Sequence, residues 1–137
     1  MSPGEPDRPA ESMDTTIGME GFGFDGEAEA TGRLPVSDRI KQPFGIVHGG
    51  AYAALAESVT SRATYEAVGP ESIAMGQAND TTFLRPVREG TIEAVARARH
   101  RGRTSWVWEV EMSDDDGRLC ALTRMIIAVR PLDRGAS

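Results

Sequence analysis

Between residues 104 and 113 the chain alternates: Trp106, Trp108, Val110 and Met112 interleave with Ser105, Val107, Glu109 and Glu111. A period of two marks a strand with one face buried. The segments RGRT at 101–104 and DDDGR at 114–118 bound it as turns. Runs at 72–84, 90–101 and 118–130 read as three further strands. Ahead of them, 49–67 changes period: Tyr52, Leu55, Val59 and Ala63 form one helical stripe, and Gly69-Pro70 ends it. At about 1.5 Å per residue this helix is roughly 28 Å long, enough to cross a small sheet. EAEATGRLPV at 27–36 reads as a first strand, interrupted by Gly32 and Pro35. Residues 37–48 form a loop with turns at Pro43 and Gly45. One strand, one long helix and four strands predict an α+β fold, with the helix packed on a single, mostly antiparallel sheet. Residues 1–22, rich in acids and prolines, read as a loosely attached or disordered arm, leaving 23–137 as one domain.

Charge changes this picture little. The net charge of −6 belongs wholly to residues 1–40, where nine acids face three arginines. The remainder is balanced, twelve acids against twelve bases, and eleven of those bases are arginine. Planar guanidinium groups suit phosphate recognition, but no basic surface suggests nucleic acid. No apolar run reaches the roughly 18 residues of a membrane span. The segment MSPGEPDRPAESMD lacks the pattern of a signal peptide. The single cysteine, Cys120, falls in a strand and reads as a buried thiol in a reducing compartment. A cytoplasmic protein is expected, without membrane or nucleic-acid partners.

The chemistry concentrates in QPFGIVHGGAYAALAES, residues 42–58. Gly49 and Gly50 open the helix, where unpaired N–H groups and the helix dipole favour an anion. Glu57 follows two turns later, on the side away from the apolar stripe, with Gly50, Ala53, Thr60, Ser61 and Thr64 as expected neighbours. That face is small and hydroxyl-rich, unlike a solvated face of alternating charges. Two readings stand level on the residues alone: a surface glutamate behind a packing glycine pair, or an acid that does chemistry at a subunit contact.

Three segments in this order, GIVHGGAYAALAES, NDTTFLRPV and RGRTSWVWEVEMSDDDGRLCALTRMIIAV, resemble hotdog-fold acyl-CoA thioesterases of the phenylacetate-pathway and hydroxybenzoyl-CoA type. The likeness spans residues 27–131. It implies an antiparallel sheet wrapped around one central helix, in a homodimer at minimum, with a homotetramer, a dimer of dimers, as the expected assembly. Glu57 and Gln42 match the glutamate-containing arm of that family. Ser61 stands where threonine is usual, which loosens any inference about the acyl group.

The resemblance implies hydrolysis of an aromatic or medium-chain acyl-CoA. Glu57 is the expected base or nucleophile and the Gly49 N–H the expected oxyanion donor. Gln42 would align the thioester or the water, His48 would brace the helix start, and Ser61 would support Glu57 or the leaving group. Arg85, Arg101, Arg103, Thr104 and Ser105 are the expected contacts to CoA. No metal and no cofactor beyond the CoA of the substrate is expected. A non-catalytic acyl-CoA sensor and an enoyl-CoA hydratase or dehydratase are the alternatives on the same fold.

Overall fold

The computed structural model describes residues 9–132. Its elements in order are α1 (Met13–Ile17), β1 (Glu20–Phe24), β2 (Glu29–Pro35), a 3-10 turn (Asp38–Ile40), α2 (Gly49–Val68), β3 (Ser72–Phe83), β4 (Thr91–Arg101), β5 (Ser105–Ser113) and β6 (Leu119–Pro131). The strands make one antiparallel sheet in the order β1-β2-β4-β5-β6-β3. It curls around α2 in the hotdog arrangement. The long helix and the four strands after it fall within about a residue of their expected bounds.

Two elements lie where an arm was expected. Ser12 caps α1, and β1 pairs with β2 across a turn held by Asp25. The Asp25 carboxylate accepts N–H bonds from Glu29, Glu27 and Ala28, and these hold its pKa below the ordinary aspartate value. Residues 1–8 of the expected arm lie outside the described residues.

Burial on β5 follows the alternation read from the sequence: Trp106, Trp108, Val110 and Met112 are buried, and Glu109 and Glu111 are exposed. On α2 the expected stripe of Tyr52, Leu55, Val59 and Ala63 is buried, but the buried surface is wider. From Ala51 to Thr64 it covers roughly 220° of the helix. Thr60 and Thr64, expected beside Glu57 on the open face, are completely buried. The curl of the sheet explains this, because a curved sheet covers flanks that a flat one leaves open. Both hydroxyls donate to helix carbonyls, Thr60 to Ala56 at 2.8 Å and Thr64 to Thr60 at 2.7 Å. Thr64 also accepts the Trp108 indole N–H at 2.9 Å.

Gly32, which looked like an interruption of β2, is a point where the sheet packs closely on the helix. A β-carbon there would lie 2.6 Å from Val59 Cγ2. Tyr52 has the opposite problem, a buried hydroxyl without a hydrogen-bond partner beside Cys120. Burial, then the neighbouring thiol, pushes its pKa well above the ordinary tyrosine value. Cys120 is buried as expected, and its thiol donates to the Met112 carbonyl at 3.1 Å.

Two substitutions should separate these polar groups. Thr64→Val keeps the shape but strands the Trp108 N–H, and should cost about 1–3 kcal/mol in chemical denaturation. Tyr52→Phe should cost nothing. Below the unfolded tyrosine pKa near 10 both states hold a neutral phenol and Tyr52 adds no pH dependence. Above it the unfolded chain ionises while the buried phenol stays neutral, so stability falls as pH rises. Tyr52→Phe should therefore flatten the alkaline limb of the stability profile.

Candidate active site

The loop before α2 is closed by backbone bonds on both sides. Lys41 bridges Val47, Gln42 N–H donates to Ile46 O at 2.9 Å, and Gly45 turns the chain with φ of 81°. The Gln42 side chain folds back so that its Oε1 accepts the Phe44 N–H. A backbone N–H can only donate, so the amide oxygen faces inward and the Gln42 NH₂ group remains free to donate. Phe44 stands at the tip of this turn, 84% exposed.

The two glycines at the helix start have different reasons for being there. A β-carbon on Gly49 would lie 2.8 Å from the Phe83 ring, so β3 itself requires a bare backbone. His48 is the N-cap, and its Nδ1 accepts the Gly50 N–H at 2.8 Å. That bond requires an unprotonated Nδ1 and leaves Nε2 as the N–H nitrogen. Ala51 N–H is bonded to His48 O. Among the described residues the Gly49 N–H has no acceptor, so the helix start presents one open donor.

Glu57 is exposed, and the helical rise puts it roughly 12 Å along the axis from Gly49. Gln42, His48 and Gly49 thus gather at one end of α2, away from Glu57 and Ser61. Ser61 is half-buried and lines a groove of about 840 Å³. Phe22, Phe24, Val59 and Ala63 give this groove its apolar lining. Its rim is fastened by Asp14, which accepts from Ser58 Oγ at 2.7 Å and pairs with Arg62 at 3.1 Å. The Arg62 guanidinium also lies 4.0 Å above the Phe22 ring.

The expected CoA contacts do not meet within one chain. Arg85 follows β3, at the end where Phe83 pairs with Ala121, and Ser105 pairs with Ala128 farther along β6. Seven residues of strand separate these points, roughly 23 Å. Arg101 stacks over Trp106 at 4.7 Å. Arg103 and Thr104 are exposed at the turn, Ser105 is partly exposed, and the Thr104 carbonyl accepts from Arg130 at 2.7 Å. Among the described residues no three His, Cys, Asp or Glu side chains gather as metal ligands, and no helix is long and apolar enough to cross a membrane.

Residues 44–121 match the family model described as thioesterase superfamily. The chain belongs to the thioesterase superfamily. It is 40% identical over 105 residues to a 1,4-dihydroxy-2-naphthoyl-CoA hydrolase of Escherichia coli K12, covering 77% of this chain and 76% of that one. A Haemophilus influenzae thioesterase superposes with a TM-score of 0.86 at 30% identity, over 93% of this chain and 89% of that one. A Staphylococcus aureus thioesterase superposes with a TM-score of 0.84 at 28% identity, over 88% of this chain and all of that one. The latter was solved as variants with a glutamate or a glutamine changed to alanine, at positions fifteen residues apart.

Several residues near the site carried no signal in the sequence. Asp14, Phe22 and Phe24 lie in or beside the expected arm, and only tertiary packing brings them to Ser61 and Arg62. Phe83 reads as an ordinary strand residue until it meets Gly49.

The cap predicts a graded response at position 48. His48→Ala should lower stability by about 0.5–2 kcal/mol, whereas His48→Asn, which can still accept the Gly50 N–H, should keep most of it. Thermal melting of the two variants checks this.

Proposed function

We propose that this thioesterase hydrolyses acyl-CoA at a site shared between two copies of the chain. One observation carries the reading: the open Gly49 N–H and the Glu57 carboxylate lie on one helix roughly 12 Å apart, too far to serve one carbonyl. Antiparallel pairing of β3 with the β3 of a second copy brings the Glu57 end of one chain toward the helix start of the other. It also carries the partner's 101–105 turn toward Arg85, which supports a CoA site formed by both chains. β3 is an edge strand, and Met75, Phe83 and Leu84 on or beside it are exposed. The homodimer is the minimum unit, and two such dimers would form the tetramer.

In this reading the thioester oxygen accepts from Gly49 N–H at the positive end of α2, and the Gln42 NH₂ group aligns the thioester or the water. Glu57 takes a proton from water as the water oxygen attacks the carbonyl carbon. The tetrahedral oxyanion is held at Gly49. Its collapse breaks the C–S bond and expels CoA as thiolate, which recovers a proton. Direct attack by the carboxylate is the other route open to Glu57, and trapping a labelled acyl-enzyme distinguishes the two. Ser61, one turn beyond Glu57, opens into the groove, whose two phenylalanines favour an aromatic or medium-chain acyl group. The fifteen-residue spacing of the glutamine and glutamate altered in the Staphylococcus aureus relative equals that between Gln42 and Glu57, which supports their pairing. The His48 cap uses Nδ1, which weakens the hydratase reading. The single buried thiol fits a cytoplasmic enzyme.

Thiol release from aroyl-, phenylacetyl- and fatty-acyl-CoAs tests the activity. Glu57→Ala should lower kcat by at least about 10²-fold. Subunit mixing tests the shared site, since Gln42→Ala and Glu57→Ala fail at different positions. Their mixed dimers hold one intact site of two, so an equal mixture should recover roughly a quarter of wild-type activity. No recovery from a mixture shown to exchange subunits would place both groups in one chain.

A further inference from the structure

Resting on the reading of Glu57 as the reacting acid, we propose that Gly76 is its positioning residue, aligned by the bulge that follows it in β3. A β-carbon built on Gly76 would lie 2.9 Å from both Glu57 Cδ and Oε2, and 3.2 Å from Cγ. The carboxyl group therefore rests against bare backbone. Gly76 is not among the positive-φ glycines, so its conformation accepts alanine and space alone excludes a side chain.

The bulge explains how one strand serves the whole helix. Gly76 pairs with Ile127 and Ala78 with Ile126, leaving Gln77 as the extra residue. Before it, Ala74 and Gly76 face α2, at the groove and at Glu57. After it, Asn79 and Phe83 face α2: Asn79 Nδ2 donates to Ala53 O at 2.9 Å, and the Phe83 ring covers Gly49. An uninterrupted period of two cannot put Gly76 and Asn79 on one face. The extra residue shifts the phase, so β3 meets helix positions 49, 53 and 57 in succession and passes the groove at 61. Ala53 O is also the carbonyl to which the helix ladder assigns the Glu57 N–H. The Asn79 amide is oriented in turn, because Thr81 donates to its Oδ1 at 2.7 Å. β3 thus holds the turn carrying Glu57 from below, and beneath the carboxyl group it leaves room on Gly76 for no more than a hydrogen.

Gly76→Ala should push the flexible end of Glu57 aside while sparing the backbone. The expected result is a kcat about 10²-fold lower with KM nearly unchanged, as for a misplaced catalytic group. A double-mutant cycle with Glu57→Ala separates positioning from general damage. In the Glu57→Ala background the methyl should reduce the residual rate no further. Wild-type turnover by Gly76→Ala, or a loss that adds in full to that of Glu57→Ala, overturns the proposal. Melting temperatures supply a readout free of catalysis: the methyl should be better tolerated in the Glu57→Ala background than in the wild type, and equal effects overturn the contact. A wild type that releases no thiol from any acyl-CoA would sink the reaction reading alone, and the melting cycle would still judge the glycine.

Discussion

The curl of the sheet around α2 is the constraint on which the rest of this molecule depends. With about 220° of the helix covered, even hydroxyl-bearing positions such as Thr60 and Thr64 become core, and their polar groups must be satisfied inside. The sheet approaches closely enough that Gly32 has no room for a methyl group against Val59. The roughly 140° that remains includes Glu57 and Ser61, and β3 runs along its margin over Gly49 and Ala53.

A rigid helix also fixes distances. Gly49 and Glu57 cannot approach each other without breaking the ladder of bonds between them, and the ends of β6 keep Arg85 from the 101–105 turn. On the proposed reading, a single copy therefore presents two half-sites facing different ends of the molecule. Two-fold symmetry is the simplest operation that joins unlike ends. The same rigidity would benefit the proposed reaction, because groups held by a packed helix and its covering strand need little reorganisation as charge develops.

Much of this was legible in the sequence, for identifiable reasons. The period of two in β5 and the stripe on α2 are local consequences of burial, and they gave the strands and the helix nearly to the residue. The resemblance of three segments marked Gln42, His48, Gly49 and Glu57, and the loop and helix place them in that order. What escaped was decided by the curvature and by contacts distant in the chain. EGFGF is only five residues long and two of them are glycine, which hides β1, and α1 is barely more than one turn. The width of the buried arc that captured Thr60 and Thr64 follows from the curvature of the sheet, which no single segment encodes. The bulge at Gln77 has no signature in MGQAND, since any of these residues can be the unpaired one.

The long outer strand also bears on how this protein must be made. β3 exposes twelve residues of edge without a proline, next to Met75, Phe83, Leu84 and Leu122, and such an edge templates the addition of further strands from any chain. If β3 pairs as proposed, a newly synthesised copy is most aggregation-prone before that pairing, and crowded overexpression favours the wrong encounter as much as the right one. Its main structural guard is the kink at Gln77, which bends the edge out of the flat register that indiscriminate stacking requires.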